Sequence, residues 1–227
     1  MFPLGSVLFP HMPVALRVFE DRYLVMLSRV LQVEPSEFGV VLIERGQEVG
    51  GGEKRFSIGT VATIVQLEAE EGVIGLIAQG GRRVSITKWL DEDPHPQAEV
   101  TELPQLDWDD DLAELLVRAE EVVRRALAVA SEFRESLWSP DVELSDDPIE
   151  SAWQLAAIAP LGPIDQFTLL RSESVRELLD GVISLTLAAS ETFTLAWTDD
   201  DALVADTTDD DAPDDDAPDT RDSDDRP

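Results

Sequence analysis

The chain has 227 residues, a formal net charge of −31 at pH 7 and no cysteine. That length suits one two-part unit or two small domains, and the missing thiol excludes disulfides, thiolate catalysis and cysteine-built metal centres. Residues 199–227 carry 14 aspartates and two arginines, so −12 of the −31 sits there and −19 remains on residues 1–198; neither part offers the basic surface that nucleic acid or an anionic membrane requires.

The opening FPLGSVLFPHMPVALRVFEDRY is an apolar stretch interrupted by Pro3, Pro10 and Pro13. It has no basic segment before it and too many prolines for a signal h-region, and no run nears the roughly 18 apolar residues of a membrane span. A soluble, cytoplasmic protein is the expectation. From Phe19 the pattern turns helical: Phe19, Tyr23, Met26, Leu27, Val30 and Leu31 make one apolar stripe, with Glu20, Asp21, Arg22 and Arg29 on the other face. Acidic residues at the start suit the helix dipole, and Pro35 ends the pattern.

Five β-branched-rich runs follow, at 38–44 (FGVVLIE), 56–67 (FSIGTVATIVQL), 73–79 (VIGLIAQ), 83–90 (RVSITKWL) and 97–103 (QAEVTEL), separated by glycine or acidic turns. With the N-terminal extended segment they predict a small, mostly antiparallel β-barrel over 1–104, with one inserted helix.

After Pro104 the apolar period becomes 3.6. Leu112, Leu115, Leu116, Ala119, Val123, Leu127 and Phe133 belong to a stripe that continues to Leu137, predicting a helix of about 30 residues and about 45 Å. Asp147, Pro148 and Glu150 read as N-cap, first helical residue and capping box of the next helix. A short helix follows Pro163, and Ser174 with Glu177 opens a last one. These four helices predict a compact bundle over 105–197, making the chain α+β overall. The repeat DDDAPDDDAP predicts a disordered acidic tail over 198–227.

The ordered succession of these segments resembles the Lon protease N-terminal domain, the LON substrate-binding domain family. The first segment matches its Phe/Leu-Pro-Leu strand, Phe-Pro turn and Phe-Glu-x-Arg-Tyr helix start. IGTVATIVQL, QGGRRVSI and PQAEVTEL match later strands, and PLGPIDQFTLLRSESVRELLDGVI the final helices. The resemblance spans residues 2 to about 195 and begins at Phe2, without the residues that commonly precede this strand. Val84 stands where the family often has an aromatic residue, which implies looser barrel packing. The resemblance implies a PUA-like barrel in which Pro3 and Pro10 bracket an edge strand and the Phe19 helix plugs the open side. It also implies capture of unfolded or exposed polypeptide.

Catalytic machinery is sought without result. GGGEKRFS at 50–57 lacks the Gly-Lys-Ser/Thr of a phosphate loop and reads as a hairpin loop. The two lysines, Lys54 and Lys88, lie in a glycine loop and a strand, poor settings for a base beside a hydroxyl such as Ser57. His11 and His95 read as exposed turn residues, too isolated to hold a metal. The carboxylate runs at 91–93 and 109–111 have ordinary solvation and capping roles. Trp89, Trp108, Trp138, Trp153 and Trp197 read as packing residues, Trp89 and Trp108 flanking the barrel-to-bundle junction.

The reading is therefore a non-enzymatic module without cofactor or metal, a substrate-recognition or quality-control adaptor whose partners are unfolded polypeptide and a protease or chaperone. Adaptable Met and aromatic side chains make Phe9, Met12, Phe19, Tyr23 and Met26 the candidate contacts. For Phe19, Tyr23 and Met26, burial in the barrel plug is the competing role. An RNA-binding PUA-like barrel, opposed by the charge, and a nucleotide-independent peptidase are the alternative functions.

Overall fold

Alternating apolar residues commit the first hundred positions to strands. The computed structural model describes residues 1–46, 48, 54–70, 72–133 and 138–205. Its strands are β1 (Phe2–Leu4), β2 (Pro13–Val18), β3 (Glu37–Arg45), β4 (Lys54–Glu70), β5 (Val73–Leu90) and β6 (Gln97–Glu102). They form one sheet in the order β1-β3-β4-β5-β2, with β6 also on β5. Every pairing is antiparallel except β1 with β3. The hairpin loop expected at 50–57 is corrected in its second half, where Lys54 already opens β4, and residues 50–53 lie outside the described residues.

The expected closed barrel is corrected to an open sheet. β1 and β2 are its two ends, and among the described residues no backbone pairing joins them. β1 is only three residues long and Pro3 at its centre has no N–H to give, so it cannot support a full ladder on both edges. Pro3 lies inside β1 and Pro13 opens β2, with Pro10 in the intervening turn, so Pro3 and Pro10 do not bracket one strand.

A second correction concerns the runs 73–79 and 83–90, which form the single strand β5. Gly80 and Gly81 are a bend rather than a turn. A Cβ at Gly80 would lie 2.2 Å from the carbonyl oxygen of Phe9, so only glycine lets the 8–12 loop cross here. That loop is tied down by His11 N–H to Gly80 O (2.9 Å), Gly80 N–H to Met12 O (2.8 Å) and the Thr60 hydroxyl to Leu8 O (2.6 Å). The crossing lets β5 pair with β2 before the bend and with β6 after it. Val84, just past the bend, is buried.

Helix α1 (Asp21–Val30) buries Tyr23, Met26 and Leu27. Tyr23 stacks on Phe2 at 4.3 Å, and Phe2 meets Phe38 at 6.1 Å, so the helix covers the β1–β3 end of the sheet. Phe19 precedes the helix and is 54% exposed, and Leu31 follows it, also exposed; neither joins the expected stripe.

Four more helices follow: α2 (Ala113–Phe133), α3 (Pro148–Ile158), α4 (Pro163–Leu170) and α5 (Val175–Ala205). The expected 30-residue helix starts later than its acidic run. The Asp109 carboxylate accepts from Asp111 N–H and sets a 3-10 turn, Asp110–Leu112, before α2 begins; residues 134–137 lie outside the described residues. At α3, Asp147 accepts from the N–H groups of Ile149 and Glu150 at 2.9 and 3.0 Å, with Pro148 in the first turn. Glu150 does not close a capping box: its carboxylate accepts from the Ser145 hydroxyl, whose oxygen in turn takes the Asp147 N–H. At α5, Ser174 Oγ accepts from Glu177 N–H and Glu177 from Glu173 N–H. The helix runs past residue 197, and the tail from 206 lies outside the described residues.

Residues Met1–Glu191 form one compact unit; a second, Thr192–Pro227, contains the C-terminal part of α5. Within the first, one apolar cluster runs from Phe2, Phe9 and Met26 of the sheet side to Val123, Leu155, Leu178 and Val182 of the helices. The polar member of this junction is Arg83, 6% exposed. From β5 its guanidinium donates to Leu170 O (2.8 Å), Ser172 O (2.6 Å) and Pro104 O (3.1 Å), and it lies 4.9 Å from the centre of the Trp153 ring. Burial pulls its pKa down and Glu177 pushes it back up. One side chain thus joins β5, the chain entering the helices, α3 and the α4–α5 turn.

Two outcomes follow. Arg83→Ala leaves three carbonyls without their donor and lowers the unfolding free energy in urea by about 3 kcal/mol, while Arg83→Lys, a point charge without the fork, recovers less than half. Gly80→Ala forces the 8–12 loop away from β5 and costs at least about 2 kcal/mol, seen as a drop in Tm of several degrees.

Candidate functional site

The turn that brings the chain from β1 across to β2 leaves a trough along the free edge of β2. Side chains of β2 alternate, Val14, Leu16 and Val18 facing inward and Pro13, Ala15 and Arg17 outward. Around its first residues is a groove of about 350 Å³ walled by Leu8, Phe9, Met12 and Val14 on one side and by Trp138, Leu161 and Pro163 on the other. Around its last residues is a cleft of about 240 Å³ between β1 and β2, with Phe19 and Tyr23. Leu4 borders both. At about 3.4 Å per residue, the six residues of β2 give the trough a length of about 20 Å. The groove is mostly apolar, while Arg17, Glu20 and Glu48 also border the cleft; a long surface of this kind beside a strand edge suits an extended chain better than a small polar molecule.

The five residues expected to touch polypeptide divide across this trough. Phe9 and Met12 line the groove with most of their surface buried, Phe9 packing on Trp153 at 6.0 Å. Tyr23 lies in the cleft wall, stacked on Phe2 with the Arg22 guanidinium 4.5 Å from its ring centre. Met26 is buried in the core away from both. Phe19 alone of the five is well exposed, because the chain leaves β2 one residue before the helix cap at Glu20. Trp138, Leu161 and Pro163 were not readable as contacts, since only folding brings the helical half beside β2. Arg83, which anchors the junction, carried no distinguishing mark in the sequence, since Arg82 and Lys88 lie in the same strand.

A further cavity of about 290 Å³ lies above Arg83, bordered by His11, Arg82, Gln105, Asp147 and Glu150. His11 Nδ1 is 3.2 Å from Glu150. Arg82 is committed to Glu37 through two hydrogen bonds of 2.9 and 2.7 Å, which hold the Glu37 carboxyl below the ordinary carboxylate range. Lys54 pairs with Glu44 at 3.6 Å. Among the described residues no group of three or more His, Asp or Glu side chains could hold a metal ion, and no helix is long and apolar enough to cross a membrane.

The tryptophans pack as framework. Trp153 is buried against Arg83, Trp89 takes the Arg55 guanidinium at 4.9 Å, Trp108 is partly buried against the core, and the side chain of Trp197 lies outside the described residues. His95 is not the exposed turn residue expected: it is buried at the end of the 91–96 loop. Its Nδ1 lies 3.1 Å from Pro96 O and its Nε2 3.4 Å from Arg29 Nη1, which donates to Asp93 O as well. Nδ1–H donating and Nε2 accepting is the neutral tautomer.

An open sheet, sealed at one end by α1 and joined through a shared core to later helices, is the architecture of Lon N-terminal domains. The Lon N-terminal domain protein from Xanthomonas campestris superposes with a TM-score of 0.56 at 26% identity, over 78% of this chain and 92% of that one. The N-terminal domain of the Mycobacterium avium complex Lon protease gives 0.57 at 19% identity, over 81% and 96%, a likeness of fold. The family model for the ATP-dependent protease La (LON) substrate-binding domain matches residues 1–187, and the chain belongs to that family. Curated relatives include the Lon protease of Escherichia coli K12, 27% identical over 192 residues, and that of Azospirillum brasilense, 28% over 156. The chain spans about a quarter of the length of the first of these, covering 82% of itself and 24% of the relative.

The buried His95 makes stability depend on pH. Burial first, then the nearby positive charge of Arg29, pull its pKa below the ordinary imidazole value, against the opposing pull of Pro96 O and Asp93. The unfolded chain therefore binds this proton more readily. The contribution is complete above about pH 6.5 and is lost as pH falls below it. In urea unfolding at pH 7.5, 6.0 and 5.0, the stability gap between the wild type and His95→Asn narrows steadily toward pH 5.

Proposed function

We propose that this protein is a non-enzymatic LON-domain module that binds unfolded or exposed polypeptide in the cytoplasm, presenting it to a protease or chaperone as a quality-control adaptor. The observation that carries the reading is the family match over residues 1–187, which falls in the substrate-binding part of Lon proteases. The open trough along β2 supports it, because Phe19 stands exposed at one end and the groove at the other is mostly apolar, with the adaptable Met12 in its wall. In this reading the barrel-like sheet (1–104) and the four-helix bundle (105–197) are the trough's two walls, and the acidic tail keeps the assembly soluble and repels other anions.

The test is fluorescence anisotropy of the full chain with α-lactalbumin labelled at its N-terminus, reduced and carboxymethylated against native. The unfolded form binds and the native form does not, and Phe19→Ser weakens binding by about three- to tenfold without moving Tm. Equal binding of both forms overturns the reading. Cleavage of the unfolded form without nucleotide converts it to a peptidase.

A further inference from the structure

From the two unpaired sheet edges we infer that the polypeptide is bound as an added β-strand, inserted in the seam between β1 and β2. This rests on the polypeptide-binding reading above and specifies its chemistry. Among the described residues, β2 pairs only with β5 and β1 only with β3. A paired strand directs alternate N–H and C=O groups to its neighbour and the others away from it. The outward groups of 13–18 therefore face the cleft, and among the described residues no backbone hydrogen bond spans it to β1.

The β1 wall carries its own mark of a missing strand. Pro3, lacking an N–H, is tolerated where that position faces away from β3. Just past β1, the Gly5 N–H donates to the Glu48 carboxylate. A side chain from beyond β3 thus supplies the acceptor that a neighbouring strand's carbonyl would supply. An extended segment laid beside β2 meets backbone on both flanks. Its alternate side chains reach the apolar wall of Phe2, Leu4 and Leu16, and Phe19 stands at the mouth.

Charge decides among occupants. A second copy carries −31 and the 199–227 segment −12, and both approach a body of −19; like charges of that size oppose either. The 199–227 segment is also mostly aspartate with proline, residues depleted in strands. The occupant is a neutral or cationic, proline-free segment of another protein, with alternating β-branched residues.

The experiment uses the full chain and a fluorescein-labelled peptide Lys-Lys-Val-Thr-Val-Thr-Val-Lys-Lys. A second peptide is N-methylated at its first and last valines, which removes two backbone donors and keeps charge and side chains. The parent peptide binds, methylation weakens it about tenfold or more, and amide exchange slows at residues 14–18 when the parent is bound. Equal affinity of the two peptides, no slowing at 14–18, or self-association with those amides already protected overturns strand addition. If strand addition fails while unfolded α-lactalbumin still binds, polypeptide recognition stands and the seam is not its site. If neither ligand binds, both readings fall.

Discussion

A single guanidinium holds the two halves of this protein in register. Arg83 enters from the middle of a strand and spends its donors on carbonyls at the entry to the helical half and at the α4–α5 turn, with its flat face on Trp153. Those carbonyls lie where helices end and chain direction changes, which is where backbone acceptors lack partners. A buried cation surrounded by carbonyl dipoles needs no counter-carboxylate, and Glu177 contributes only a more distant pull. The arrangement has a strict geometry, since a fork of donors must meet acceptors contributed by separate segments. The apolar cluster on either side supplies the bulk of the stabilisation, but it is less directional.

The position of the trough follows from that register. Its walls come from opposite sides of the junction, Phe9 and Met12 from the loop before β2 and Trp138, Leu161 and Pro163 from the helical half. The loop is in turn fixed where it crosses Gly80 and where Thr60 takes Leu8 O. The path from Arg83 to the trough is short in sequence: Gly80 bends β5 three residues before Arg83 anchors it. Binding surface and fold stability therefore share the same few residues. Phe19, exposed at the far end, is free of that coupling and is the position at which affinity and stability separate.

Much of the element order was legible in advance because it rests on local signals. β-Branched-rich runs marked β3, β4 and β6, periodicity of 3.6 marked α1 and α2, and Asp147-Pro148 and Ser174 marked the starts of α3 and α5. The misreadings share one cause. Gly80-Gly81 has the composition of a turn, yet it is a bend within a strand, because what happens at a glycine pair depends on which backbone crosses it. Phe19 matched the helical stripe by spacing but precedes the helix. His95 sits among acids and prolines that suggest solvent, and is buried by α1 and the loop around it. The candidate contacts were chosen by side-chain type, and type does not distinguish a core methionine such as Met26 from one at a groove wall such as Met12.

Sequence alone determined the class of protein: composition removed thiol chemistry and basic surfaces, and the ordered motifs pointed to a LON substrate-binding domain, because these are properties of residues and their neighbours. Tertiary structure decided that the sheet stays open, that Arg83 joins sheet to helices through backbone carbonyls, and that among the described residues β2 keeps a free edge beside β1. Each of these depends on groups far apart along the chain, such as Gly5 with Glu48, Phe9 with Gly80 and Arg83 with Ser172. No local period or composition encodes such distances; they are set when the chain closes on itself.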